Sequence, residues 1–152
     1  MFSRAAPGTT ESPLGDPLTG VLSVLQQLEV IEVRLIGAGG VVTDGPFIEI
    51  DDERGLDISG TLNMMIEYPS RHRLHVLVTL DVSYGYPGWG IYSFQFLDSL
   101  HRNVFRYDNS PHRPALPTFP HHKHVGISET AVAHPQPSLD DVIAEVCTHA
   151  YP

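Results

Sequence analysis

The residue types best suited to proton transfer and phosphate binding crowd into one stretch of this chain. It runs Phe105-Arg106-Tyr107-Asp108-Asn109-Ser110-Pro111-His112-Arg113 and, after a short gap, Pro117-Thr118-Phe119-Pro120-His121-His122-Lys123-His124-Val125-Gly126. Side chains of an extended strand alternate between faces, so Phe105 and Tyr107 share one side and Arg106 and Asp108 the other. Likewise His122 and His124 share a side, with His121 and Lys123 opposite. The aromatic pair is expected in the core. Arg106 and Asp108 are expected at least partly exposed on the open face of a sheet.

Histidine titrates near neutrality, so two imidazoles can act as base and acid in one turnover. Arginine and lysine hold a phosphate and stabilise the charge of a phosphoryl transition state. Together these types suit metal-independent RNA cleavage, with no cofactor. One histidine would deprotonate the ribose 2′-hydroxyl and another would protonate the leaving 5′-oxygen. In one cleft Asp108 would orient an imidazole, Arg106 and Lys123 would meet the phosphate, and His112 would join His122 or His124 in acid–base work. Two other readings stay open. Histidines two apart on a strand can chelate a metal ion, with His112 or Asp108 completing the ligands. A histidine-rich surface turn can also be inert.

The rest of the chain must position these groups. Its 152 residues and 16.8 kDa suit one domain, and 41% hydrophobic residues suffice for a core. The net charge of −9 excludes a uniformly basic nucleic-acid binder. Within residues 101–124, however, Arg102, Arg106, Arg113 and Lys123 face only Asp108, giving +3 there and −12 elsewhere. Five of the nine histidines fall in that window, so a basic, histidine-rich strip sits on an acidic body. The single cysteine, Cys147, excludes an intramolecular disulfide and a multi-cysteine zinc site. With neither a bilayer-length apolar run nor a basic-then-apolar leader, the expectation is a soluble cytoplasmic protein without a membrane partner.

Residues 1–15 read as a disordered tail, and 16–152 as one domain. Asp16-Pro17 opens a helix over 17–28, with Leu18, Val21, Leu22, Leu25 and Leu28 at helical spacing. The period then shortens to two, predicting strands over about 30–36, 58–67, 73–83, 90–97 and 101–108. Ser138 and Asp141 open a closing helix over 139–149. Short turns between strands favour antiparallel pairing. The fold class is therefore α+β: an antiparallel sheet of about five strands, with both helices on one face.

Weaker motifs yield to plainer readings. Gly37-Ala38-Gly39-Gly40 lacks the third glycine and the following helix of a dinucleotide fingerprint. Asp51-Asp52-Glu53 reads as a solvated run and Cys147 as a packing residue. Pro111, Pro114, Pro117 and Pro120 recur every three residues, the period of polyproline II, and read as a stiff spacer that folds the histidines back.

The string FRYDNSPHRPALPTFPHHKHVG, with the helix start Pro137-Ser138-Leu139, resembles the TumE-type toxins of bacterial toxin–antitoxin systems. The resemblance is strong over about residues 104–148. It implies a small α+β ribonuclease toxin that inhibits growth or translation, on a fold like that of the RelE and barnase group. It also implies a cognate antitoxin as partner, and RNA as substrate. Carried over residue by residue, the motif positions are Arg106, Tyr107, Asp108 and Asn109, then His112, then His121, His122, Lys123 and His124. Of these, Tyr107, Asn109 and His121, together with Arg113, would contact substrate. The acidic body favours ribosome-bound over free RNA, because backbone affinity comes from cations. The alternative is a non-catalytic protein using the strip to hold a metal ion or a partner. Either form is compatible with a homodimer.

Overall fold

A computed structural model describes residues 17–53, 57–81 and 88–152. The expected tail, the Asp16 cap and residues 82–83 of the expected 73–83 strand lie outside the described residues. Helix α1 (Pro17–Ile36) leads into strands β1 (Val41–Glu53), β2 (Asp57–Glu67), β3 (Arg73–Asp81), β4 (Gly88–Leu97), β5 (Asn103–Asp108), β6 (His122–Val125) and β7 (Thr130–Ala133), and helix α2 (Leu139–Ala150) closes the chain. The strands form one antiparallel sheet in sequence order. No helix among the described residues is long and apolar enough to cross a membrane.

The first expected strand, 30–36, is instead the second half of α1. Val24, Leu28, Ile31 and Leu35 are all buried, at the helical spacing i, i+4, i+7, i+11, while Val30 and Val33 face solvent. Ile31 and Leu35 fit both a helical and a two-residue period, and packing selects the helical one. The glycine-rich segment therefore ends a helix rather than a strand. Gly39 adopts φ +100°, a conformation that favours glycine, and its N–H bonds the Ile36 carbonyl at 2.9 Å.

The sheet has seven strands rather than five. Gly45-Pro46 breaks the alternation of β1, whose pairing with β2 slips between Val42 and Asp44 and again between Asp44 and Phe47. Proline is tolerated there because β1 is an edge strand. Strands β6 and β7 have four residues each, too short to carry a period. The proline-spaced segment forms successive turns instead of polyproline II: Leu116 N–H bonds Arg113 O at 3.2 Å, Phe119 bonds Leu116 at 3.0 Å and His121 bonds Thr118 at 2.8 Å.

One apolar core lies between the sheet and the two helices. Gly60 on β2 lets α1 approach closely: a Cβ there would stand 2.3 Å from Val24 Cγ1 and 3.0 Å from Leu28 Cδ1. Helix α2 begins with the expected box, Ser138 and Asp141 each bonding the other's backbone N–H. An ion pair between Arg34 and Asp140 joins the end of α1 to the start of α2.

Candidate functional site

The register of β5 and β6 brings the two halves of the motif together. Asp108 pairs with His122, Tyr107 with Lys123 and Arg106 with His124. Tyr107 and Phe105 therefore face the helices, and both are buried as expected. Arg106, Asp108, His122 and His124 occupy the opposite face. The connection over 109–121 folds back across that face and lays His112 over them. The expected fold-back thus forms, with both His122 and His124 near Arg106 and Asp108.

One expectation fails here. Asp108 is not on open surface: it is only 3% exposed, like His124, and His122 is 1% exposed. The covering loop and the β6–β7 turn convert an outward-pointing row into a buried one. Such burial requires paired polar groups. Asp108 Oδ2 accepts from Arg106 Nε at 2.8 Å, and Oδ1 accepts from the Ser110 N–H at 3.0 Å. His122 Nε2 lies 2.9 Å from Asp108 Oδ1, and His124 Nε2 lies 3.5 Å from Oδ2. The other ring nitrogens are anchored on backbone carbonyls: His122 Nδ1 donates to Pro120 O at 2.9 Å and His124 Nδ1 to Glu129 O at 3.0 Å.

The imidazole nitrogens converge as well. His122 Nε2 and His124 Nε2 are 3.0 Å apart, and His112 Nε2 is 3.4 Å from His124 Nε2. One ligand atom from each of Asp108, His112, His122 and His124 lies within 4.8 Å of all the others. Burial pushes the His124 imidazole below the ordinary histidine range, with Arg106 and His122 acting in the same direction and the Glu129 carbonyl and Asp108 opposing. His112 is exposed at the mouth of an open cleft of about 550 Å³, whose lining includes Arg113, Leu116, Glu129 and Thr130.

Lys123 does not join this cleft. As register partner of Tyr107 it points to the helix face, where Nζ bonds Glu145 Oε1 at 2.6 Å and lies 4.9 Å from the Tyr107 ring centroid. Arg106 and Lys123 therefore cannot clamp one phosphate. The expected substrate contacts are also largely engaged elsewhere. The Tyr107 hydroxyl donates to Glu145, and burial followed by that bond raises its pKa far above the ordinary phenol value. Asn109 clasps β4, donating to Gly90 O at 2.8 Å and accepting from the Tyr92 N–H at 3.0 Å. His121 Nδ1 lies 2.8 Å from the Tyr92 hydroxyl. Arg113 alone of that group lines the cleft.

Two residues the motif reading passed over complete the arrangement. Glu129 binds Arg106 Nη1 at 2.9 Å and supplies the carbonyl that fixes His124. It occupies a left-handed turn position, φ +53°, immediately before β7. Glu145 binds both Tyr107 and Lys123 from α2. Neither belongs to a recognisable spacing; Glu129 becomes visible only once β6 and β7 are known to form a hairpin.

A family model described as Toxin TumE matches residues 38–149, which include every strand and nearly all of α2. No curated protein and no solved structure matches the chain.

Proposed function

The chain belongs to the TumE toxin family, and on that premise we propose that it is a ribonuclease that arrests growth from the β5–β6 face of its sheet. The observation that carries this reading is the convergence of Asp108, His112, His122 and His124 within 4.8 Å, beside the Arg106 guanidinium. RNA cleavage through the 2′-hydroxyl needs a base, an acid and a cation near the phosphate. His112 is the imidazole exposed to the cleft, Arg113 is the cation lining it, and Arg106 supplies positive charge beneath. His124, with Nε2 3.4 Å from that of His112, is proposed as the second acid–base group, and Asp108 and His122 hold the charge and orientation of that centre from below. The proposal includes a cytoplasmic setting, a cognate antitoxin as partner, and a relationship to the RelE and barnase fold group. With the acidic body opposing free RNA, the substrate is proposed to be ribosome-bound.

A second reading, a non-catalytic protein that holds a metal ion, draws on the near-complete burial of His122 and His124. Groups so covered offer substrate little surface. The test is cleavage of a translated messenger by purified protein, with and without EDTA. Cleavage under either condition supports the ribonuclease reading, and its survival in EDTA assigns the proton transfers to the histidines alone. No cleavage, combined with tight zinc binding, favours the second reading.

A further inference from the structure

We propose that Asp108, His112, His122 and His124 form a four-coordinate site for a borderline divalent transition-metal ion, zinc above all. The sequence kept a metal ion on this strip as an alternative without naming the ion or a full ligand set; the geometry supplies both. Carbonyl oxygens only accept hydrogen bonds, so the Nδ1 atoms of His122 and His124 carry the hydrogens donated to Pro120 O and Glu129 O. In the neutral imidazole that leaves a bare lone pair on each Nε2. These two lone pairs face one another across 3.0 Å, with Asp108 Oδ1 2.9 Å from the first and His112 Nε2 3.4 Å from the second.

A proton on His122 Nε2 serves Asp108, and a His112 Nε2–H reaches His124 only across a long 3.4 Å, so hydrogen bonding fills this cluster loosely. A metal ion satisfies all four at once. Bonds of 2.0–2.1 Å in a tetrahedron place ligand atoms roughly 3.3 Å apart; three of the separations here are 2.9, 3.0 and 3.4 Å, and all four atoms lie within 4.8 Å of one another. Anchoring Nδ1 on a backbone carbonyl is also how a metal-bound imidazole is held in tautomer and orientation.

The donor set selects the ion. Three imidazoles and one carboxylate suit zinc and its borderline neighbours, whereas magnesium and calcium want oxygen and copper(I) wants sulfur. Charge is consistent with this: Arg106 is shared between Asp108 and Glu129, so the two carboxylates exceed the one guanidinium by a unit. Four protein ligands make a closed site. The ion would join the 109–121 connection, through His112, to strands β5 and β6. With its Nε2 on the ion, His112 is no longer a free acid–base group, so this site develops the metal-holding reading above and does not depend on RNA being the substrate.

The test uses the full chain, purified without a polyhistidine tag and titrated with Zn²⁺ against a chromophoric chelator, alongside cobalt(II) spectroscopy. The expected result is one equivalent per chain and a tetrahedral cobalt spectrum. His112→Ala, a change at an exposed position that leaves the core intact, is expected to weaken binding at least tenfold, as loss of even an outer partner does. His75→Ala, on the far part of the sheet, leaves binding unchanged. A folded wild-type chain that takes up no zinc overturns the proposal, as does His112→Ala binding with wild-type affinity. RNA cleavage is not read here, so a zinc-binding protein that cuts no RNA overturns only the ribonuclease reading.

Discussion

His122 Nε2 lies 2.9 Å from Asp108 Oδ1, and the two residues are register partners on adjacent strands. Asp108 is therefore the point at which one carboxylate serves β5, β6 and the covering loop through Arg106, His122 and the Ser110 N–H. Removing one member of a buried charged pair strands the other. Asp108→Ala is expected to cost about 3 kcal/mol, read as a lower urea midpoint at neutral pH. Asp108→Asn keeps the shape and an acceptor, and should cost less. An unchanged midpoint in Asp108→Ala would show that the cluster does not support the fold.

On the other face of β6, Lys123 and the Tyr107 hydroxyl share the Glu145 carboxylate. Glu145→Ala removes two hydrogen bonds involving a charged group and should destabilise by about 2 kcal/mol. Lys123→Ala should lower stability by less, about 1 kcal/mol, since Nζ also rests on the Tyr107 ring. Because Lys123 is separated from the cleft by the sheet, the same variant is expected to retain RNA cleavage. Loss of cleavage with stability preserved would return Lys123 to the reacting centre.

How much could be read from the sequence follows from how locally each feature is determined. Strands β2 to β5 and helix α2 announce themselves by unbroken periods and a capping box, all properties of short windows. The failure at 30–36 arose because Ile31 and Leu35 satisfy two periods, and only α1 packing on β2 decides between them. The cluster was legible as residue types and as faces, since strand alternation puts Arg106 with Asp108 and His122 with His124. Burial was not legible. It depends on the 109–121 connection closing over that face, and on the β6–β7 hairpin that supplies the Glu129 carbonyl. Lys123 was placed at the phosphate although alternation already set it opposite His122 and His124; its pairing with Tyr107 puts it on the helix face.

At Gly60 helix α1 lies close against the sheet, with the place of a Cβ already crowded by Val24, Ile50 and Leu28. Gly60→Ala should therefore destabilise by about 1–3 kcal/mol through overpacking, despite the better strand propensity of alanine. Leu28→Ala, which empties the same contact, should cost about 2–5 kcal/mol. If that large-to-small change opens space for the added methyl, the double variant will be more stable than the sum of the two costs implies. Strict additivity in denaturation would argue against this helix–sheet contact.

Two surface carboxylates, Asp98 and Asp141, give the acid limb a definite sign. The Asp98 carboxyl is held below its ordinary 3.8 by the Arg102 N–H first of all, aided by the Arg102 guanidinium and the Leu100 N–H. Asp141 is lowered by its cap bonds to Ser138, backbone first. A depressed folded-state pKa means that the unfolded chain binds protons more readily. Stability from these groups is therefore full above about pH 4 and is lost as pH falls through the lowered values. Asp98→Asn and Asp141→Asn should each flatten the decline of thermal stability with pH on that limb, and an unchanged slope in both would sink the assignment.

Exposure separates loss of fold from loss of function within the histidine cluster. His122→Ala empties a fully enclosed position and removes a partner of buried Asp108, so it should cost several kcal/mol, about 2–4 by the usual range for buried polar contacts and cavities. Its loss of growth inhibition would then be ambiguous, contrary to the simple expectation that the fold stays intact. His112 is exposed, and in the metal-free protein His112→Ala should change stability by no more than about 0.5 kcal/mol. It nevertheless removes the one imidazole of the cluster that reaches the cleft. The expected outcome is a protein with wild-type melting behaviour that no longer arrests growth, while His134→Ala and His149→Ala remain toxic. Full toxicity in His112→Ala would move the reacting centre away from this cleft.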